Sequence, residues 1–372
     1  MFRVEIKDGK GNLTGLHLPA SDYALLDVVA QLDTEPADGP LCTIVEYDAN
    51  AFLAPLLYEE QPLYELNGLA RKLAEFDLIE SVSFEGLVQL EINRKEGVVT
   101  LPKLIDLAYS TDSCNAEPAC NDEELGQFYV ENNWLPELLD VPDKVFEFLD
   151  FQKIGKNIRE EEHGVFTTRG YVVQTSASKQ VYATMDFRPK KPDYVFRLTL
   201  GTSDGEQLSV LKLPSEPDSI KLNLEKHGIT SLDDIVLTDF DGVPLTLDFY
   251  LNEGGLDNLN SLAKAIQELE QQGQLTKFQA VLHATDCCDV QNALRITKKM
   301  DAYILIPSQH RIQDVGRDSL RCALDENTFE RLLPHVNLCS YGLALLDDRN
   351  AMVTPYGILQ RMDGSVIQEF SK

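Results

Sequence analysis

The chain has 372 residues, 43% of them hydrophobic and 8% aromatic, which is enough apolar material for more than one core and argues against a disordered polymer. Its 61 acidic against 33 basic side chains give a formal charge of −28, which argues against direct binding to nucleic acid or to an anionic membrane, since both need a positive footprint. Seven scattered cysteines with no CxxC pair, no stretch resembling a signal peptide and no apolar run of about 18 residues predict a cytoplasmic protein without a disulfide framework or a membrane span.

In chain order, two strands over 2–6 and 13–18 are joined by a turn at Asp8-Gly9. Ser21, a good N-cap, opens a helix with Leu25, Leu26, Val29 and Leu32 on one face, and a strand over 42–47 completes a small α+β unit. Three amphipathic helices follow, at about 63–76 (Leu66, Leu69, Leu73, Phe76), 84–92 (Phe84, Leu87, Val88, Ile92) and 101–109 (Leu101, Leu104, Ile105, Ala108), so the middle section is expected to be purely helical. The last section is expected to hold a helix near 122–131, an irregular acidic stretch with Pro136 and Pro142, a helix from about 142 to 160 and a hairpin over 165–174 that turns at Gly170.

The first half then recurs. FRVEI (2–6) returns as FRLTL (196–200), each followed by Asp-Gly, and LHLP (16–19) returns as LKLP (211–214). TIVEYD (43–48) lines up with VLTDFD (236–241), LNGLARKLAEFD (66–77) with LNSLAKAIQELE (259–270), and FEGLVQL (84–90) with FQAVLHA (278–284). Gly155 matches Gly342, and TTRGYVVQ (167–174) matches TPYGILQR (354–361), both at an offset of 187. Matches in one order predict a duplicated module, with the boundary in the polar, Pro/Lys-rich 175–194. The expected architecture is therefore α+β, with two tandem copies of an elongated module at 1–178 and 195–372 and a linker at 179–194. Each copy would have a small α+β subdomain, a helical middle and an α+β end with a C-terminal hairpin; in the first copy these lie at about 1–60, 61–115 and 116–178.

Charge separates the copies. Residues 1–178 hold 33 acids and 13 bases, a charge of −20, while residues 179–372 hold 28 and 20, a charge of −8. The densest stretch carries Asp122, Glu123, Glu124, Glu131, Glu137, Asp140, Asp143, Glu147 and Asp150 against the single base Lys144, and is continued by Glu160, Glu161 and Glu162. Apolar residues threaded through it, among them Leu125, Phe128, Tyr129, Trp134, Leu138, Val145 and Leu149, predict a folded acidic surface. Phe146, Phe148 and Phe151 are expected in the core, and Lys156 and Arg159 are expected to pair with acids such as Glu160 one helical turn away.

Other chemistry is less well supported by the residues. IVLTDFDG (235–242) looks like the first motif of haloacid-dehalogenase phosphatases, with Asp239 as nucleophile and Asp241 as general acid on a magnesium ion. Its second carboxylate is followed by Val243-Pro244 in place of a hydroxyl residue, and its counterpart in the first copy has Glu46 and Asp48. His283, Cys287 and Cys288 lack a second ligand pair, so neither a metal nor any other cofactor is expected. No Gly-rich phosphate loop, GxSxG or HExxH is present, and the chain reads as a non-enzyme.

A folded protein with carboxylates at the spacing of DNA phosphates, about one charge per 1.7 Å of duplex axis, can occupy the Lys/Arg rows that grip DNA. LNGLARKLAEFD with the following FEGLVQL helix, and LDFQKIGKNIRE (149–160) leading into the Gly170 hairpin, resemble the ArdA antirestriction family. The resemblance covers roughly 60–174 and, more faintly, the second copy. It implies an elongated three-part protein of a mobile element that mimics bent duplex DNA and binds a type I restriction-modification enzyme, with the acids named above as the partner-binding surface. The family's aromatic-Asp-aromatic run is reduced here to Leu149-Asp150-Phe151, with Gly155 following. Family members are single modules that pair, so the tandem implies a homodimer or an intrachain pseudo-dimer. The second copy has Arg311, Arg317, Arg321 and Arg331 where the first is acidic. The alternative is an acidic interaction module of a mobile element with another basic partner.

Overall fold

Alternation of Phe2, Val4 and Ile6 with polar residues makes β1 (Phe2–Lys7) a strand with one buried face. In the computed structural model, which describes all residues except 8–12, 33–38, 95–97, 137–144, 146–147, 230, 233–234, 250, 308–309 and 369–372, β1 lies between β2 (Leu13–Leu18) and β3 (Leu41–Tyr47). A two-residue β4 (Gln61–Pro62) flanks β3, giving the sheet order β2-β1-β3-β4. The expected Asp8-Gly9 turn lies outside the described residues. Helix α1 (Asp22–Gln31) is capped by Ser21, whose Oγ accepts from Ala24 N.

The middle section is three helices, α2 (Leu63–Ala74), α3 (Leu78–Asn93) and α4 (Leu101–Ala108). Helix α3 begins six residues before the expected 84, at a reciprocal cap in which Glu80 N donates to Asp77 Oδ1 and Asp77 N to the Glu80 carboxylate. Periodicity alone misses such a start because the signal is polar. The last section has β5 (Cys114–Glu117), a strand absent from the expectation. It is followed by α5 (Asp122–Glu131), α6 (Phe151–Glu162) and the strands β6 (Val165–Phe166) and β7 (Tyr171–Gln174), in the antiparallel order β5-β7-β6. Helix α6 begins at Phe151 and not near 142; most of 142–150 lies outside the described residues.

Among the described residues the second half follows this element order, without a counterpart of β4 and with one more helix near its end: β8 (Phe196–Gly201), β9 (Gln207–Leu213), α7 (Pro217–Lys226) and β10 (Val236–Gly242), then α8 (Glu253–Gln271), α9 (Leu275–Ala284) and α10 (Val290–Thr297). It closes with β11 (Tyr303–Ile306), α11 (Ile312–Ala323), α12 (Glu326–Leu332), α13 (Leu338–Asp348), β12 (Met352–Thr354) and β13 (Gly357–Arg361). The end sheet again places its last strand centrally, β11-β13-β12, and β8 lies between β9 and β10 as β1 lies between β2 and β3. Both β1–β3 and β8–β10 carry a bulge, and both Leu18–Pro19 and Leu213–Pro214 are cis. Side chains recur with the strands. Asn67 accepts from Ala20 N (2.7 Å) and donates to Ala20 O (3.1 Å), while Asn260 does the same with Ser215 (2.9 and 2.7 Å).

The fold is α+β, with thirteen α-helices and four small sheets among the described residues. None of those helices is long and apolar enough to cross a membrane. Two compact units are present. One comprises Met1–Ile6, Gly15–Ala20 and Asp38–Arg188; the other comprises Lys7–Thr14, Ser21–Ala37 and Pro189–Lys372. Helix α1 therefore belongs to the second unit, although its sequence lies in the first half of the chain. Tyr23 is part of that unit's core with Phe196, Leu259 and Phe278, and its hydroxyl donates to the Tyr194 carbonyl. Asp27 accepts from Gln279 Nε2 (2.7 Å) and from the Tyr356 hydroxyl (2.9 Å).

Candidate functional site

Most of the described acids of the densest stretch stand on α5 and α6, which cross at two glycines. A Cβ on Gly126 would lie 1.9 Å from the Phe151 carbonyl oxygen, and one on Gly155 would lie 1.8 Å from that of Asp122. No other residue permits that approach. Below the crossing, Leu125, Ile158, Tyr171 and Ala119 form a buried cluster with Tyr129, Ile154 and Phe166 against it. Side chains cap both helices: Asn121 Oδ1 accepts from Glu124 N (2.9 Å), the Glu124 carboxylate accepts from Cys120 N (2.8 Å), and Asp150 Oδ1 accepts from Lys153 N (3.0 Å).

The carboxylates divide by what they hold. Asp122 takes both ends of the Arg159 guanidinium across the crossing, at 2.7 and 3.1 Å, and that pairing raises the arginine's pKa. Arg159 thus bonds to the neighbouring helix and not to an acid one turn away, whereas Lys156 does face Glu160, at 3.9 Å. Glu162 accepts from the hydroxyls of Tyr129 (2.9 Å) and Tyr171 (3.2 Å); burial first, and then this carboxylate, raises both phenols above their ordinary value. Burial, and then the charge on Glu162, also raises Glu117. Glu131 accepts from Gln127 Nε2 (2.6 Å).

Glu123, Glu124, Glu131, Asp150, Glu160 and Glu161 are exposed, and Glu123 and Glu161 make no hydrogen bond or ion pair among the described residues. Glu137, Asp140, Asp143 and Glu147 lie outside the described residues, as does Phe146. Phe148 is 83% exposed and is not in the core. Its neighbours alternate with acids, so hydrophobicity alone does not place it inside. Trp134, 47% exposed, packs edge-on against Phe128 and Tyr129. Beside the C-terminal end of α6 a groove of about 990 Å³ interrupts the acidic surface with Arg94, Lys103, Arg159 and His163. Two of these cations share Glu91, at 2.9 Å from Arg94 and 3.4 Å from Lys103.

In the second unit α11 and α13 cross in the same way, with a Cβ on Gly316 2.6 Å from the Leu338 carbonyl oxygen and one on Gly342 2.0 Å from that of Ile312. The charge differs. Asp314 is buried between Arg311 (3.4 Å) and Arg317 (3.6 Å), and Arg321 lies over the Phe329 ring, 3.4 Å from Glu326.

Asp239 and Asp241 lie on β10, antiparallel to β8. Arg197 lies 3.1 Å from Asp239 and 3.9 Å from Asp241. Asp241 accepts from the Tyr194 hydroxyl at 2.5 Å, and burial followed by this bond pushes that phenol up to about 12. Each of these contacts is made through Oδ2 of the carboxylate. Among the described residues no three His, Cys, Asp or Glu side chains are grouped to hold a metal ion.

Sequence reasoning missed the Gly126–Gly155 contact and the Asp122–Arg159 bridge. A signal for the first was available: mid-helix glycine costs about 1 kcal/mol relative to alanine, yet each half of the chain has one in each partner helix. Compared with known proteins, the chain matches no family model and no curated protein.

Proposed function

We propose that this chain is an acidic DNA mimic of the antirestriction type, acting in the cytoplasm, which inhibits type I restriction-modification enzymes by occupying their DNA-binding groove. One observation carries the reading: the exposed carboxylates of α5 and α6 stand on helices held rigidly by backbone contact at Gly126 and Gly155. A charge array helps binding only if it is ordered before the encounter, because ordering it during binding offsets the Coulomb gain. The repetition of elements supports a tandem of two modules, the first bearing the mimic surface and the second the scaffold. In this reading the protein needs no cofactor and performs no chemistry of its own.

The test is inhibition of DNA cleavage and methylation by a purified type I enzyme, titrated with the protein at several salt concentrations. Inhibition should weaken as salt rises, as it does for DNA. The triple reversal Glu123→Lys, Glu131→Lys and Glu161→Lys should abolish it while changing stability by less than about 0.5 kcal/mol per site. Continued cleavage and methylation at a large excess of protein would refute the proposal. If the enzyme is untouched yet a basic host protein is retained and released by salt, the alternative of an acidic interaction module with another partner takes its place.

A further inference from the structure

The groove beside the end of α6 lies wholly in the first unit and has a volume of about 990 Å³, within the range usual for a small-molecule site. Residues 1–178 hold only 13 bases, yet Arg94, Lys103 and Arg159 all line it. They come from three helices: Arg94 caps the C-terminal end of α3, Lys103 stands in the first turn of α4 and Arg159 in the last turn of α6. Arg94 and Lys103 reach the same oxygen, Oε2 of Glu91, at 2.9 and 3.4 Å. One carboxylate thus faces two cations, and a second anion would relieve their mutual repulsion.

The acids around the groove are already engaged. Asp122 is bonded to Arg159, Glu160 faces Lys156 at 3.9 Å, and Glu162 accepts from Tyr129 and Tyr171. Arg94, Lys103, Lys156 and Arg159 therefore balance Glu91, Asp122, Glu160 and Glu162, in a half of the chain whose charge is −20. An anion meets less repulsion here than over the acidic surface beside it. Donors remain unused as well. Arg94 bonds through Nη1 to Glu91 and through Nη2 to Gln174, and Arg159 bonds through Nε and Nη2 to Asp122. Nε of Arg94 and Nη1 of Arg159 have no partner among the described residues, nor do the imidazole of His163 and the hydroxyl of Ser176, which also line the groove.

The hairpin plan that the two halves share does not call for these groups. At the offset of 187 that relates Gly155 to Gly342, Leu346, Asn350 and Asp363 stand in the places of Arg159, His163 and Ser176. Helix α13 ends without a base in its last turn, so a cation at this helix end is not a demand of the fold.

We propose that this groove binds a small phosphate monoester, its phosphate held by Arg94, Lys103 and Arg159 together with Ser176 and His163. Donors that arrive from several segments suit a tetrahedral oxyanion better than a planar carboxylate, which two parallel N–H groups satisfy. The groove is larger than a bare phosphate ion fills, and Leu90 and Val165 in its wall offer apolar surface to the organic part. The inference does not rest on the antirestriction reading.

Equilibrium dialysis of the full chain against radiolabelled phenyl phosphate, and separately against radiolabelled inorganic phosphate, tests it at an ionic strength held constant with sodium chloride so that screening does not change. Both probes should be retained, the ester more tightly. Lys103→Ala should weaken retention of both about ten-fold, the loss expected for one charge-assisted hydrogen bond. Ser176→Ala should weaken it less, and Lys103→Arg should keep most of the affinity. Melting midpoints without ligand should shift little, because Ser176 is exposed and a partly exposed ion pair such as Lys103–Glu91 contributes little. Retention of neither probe at up to about 1 mM overturns the proposal, as does retention indifferent to both alanine substitutions. An ester bound more weakly than the bare ion overturns the assignment to a monoester.

Discussion

The α5–α6 pair and the α11–α13 pair are built on one plan. Each crosses at two glycines, packs beside a three-stranded sheet and ends in a hairpin fixed by a threonine hydroxyl. Yet α5 opens with Asp122, Glu123 and Glu124, whereas α11 carries Arg317 and Arg321 on its exposed face. The crossing depends on groups buried between the helices, and the charge stands on residues facing water. The two can change independently, because an exposed substitution costs little while one at the crossing must move backbone.

The largest effect on stability is expected where the two pairs are alike. Gly155→Val places side-chain atoms on the Asp122 carbonyl, 1.8 Å from even a Cβ, and should cost about 3 kcal/mol or more. Gly342→Val should do the same in the second unit. Denaturant unfolding measures both, and tolerance at either site would end the claim of a common crossing. Next come Asn260→Ala, which strands a backbone N–H and the Ser215 carbonyl, and Asn67→Ala, which strands only the N–H because the Ala20 carbonyl keeps the Arg71 guanidinium at 2.8 Å. About 2 kcal/mol is expected for Asn260→Ala and about 1 kcal/mol for Asn67→Ala. A larger loss at Asn67 than at Asn260 would contradict that order.

Asp122→Asn separates the pairs, since α11 has Ile312 at the matching position. It removes the charge from a half-buried bidentate bridge and should cost about 1.5 kcal/mol in denaturant unfolding. The smallest effect concerns α1. Burial raises the Asp27 pKa, while bonds from Tyr356, Gln31 and Gln279 oppose the rise. A carboxyl raised on folding stabilises fully below its unfolded value of ~3.9 and loses that contribution as pH rises through the folded value. The melting midpoint of wild type relative to Asp27→Asn should therefore rise as pH falls through that window. A difference that falls, or stays flat, would contradict the shift.

Sequence alone determined the α+β class and the helical middle. The apolar periodicities that specify α2 and α4 are local, and so are the Ser21 cap and the Gly170 turn. The same local signals marked the acidic stretch and its uneven division between the halves. Tertiary structure decided what no local pattern contains. It brought Gly126 against Gly155 and turned Asp122 from a free charge into the partner of Arg159. It left Phe148 in water and assigned α1 to the second unit. The physical reason is common to these cases: a residue's spacing fixes the face on which it stands, but the surface that meets that face is set by contacts between segments far apart in sequence.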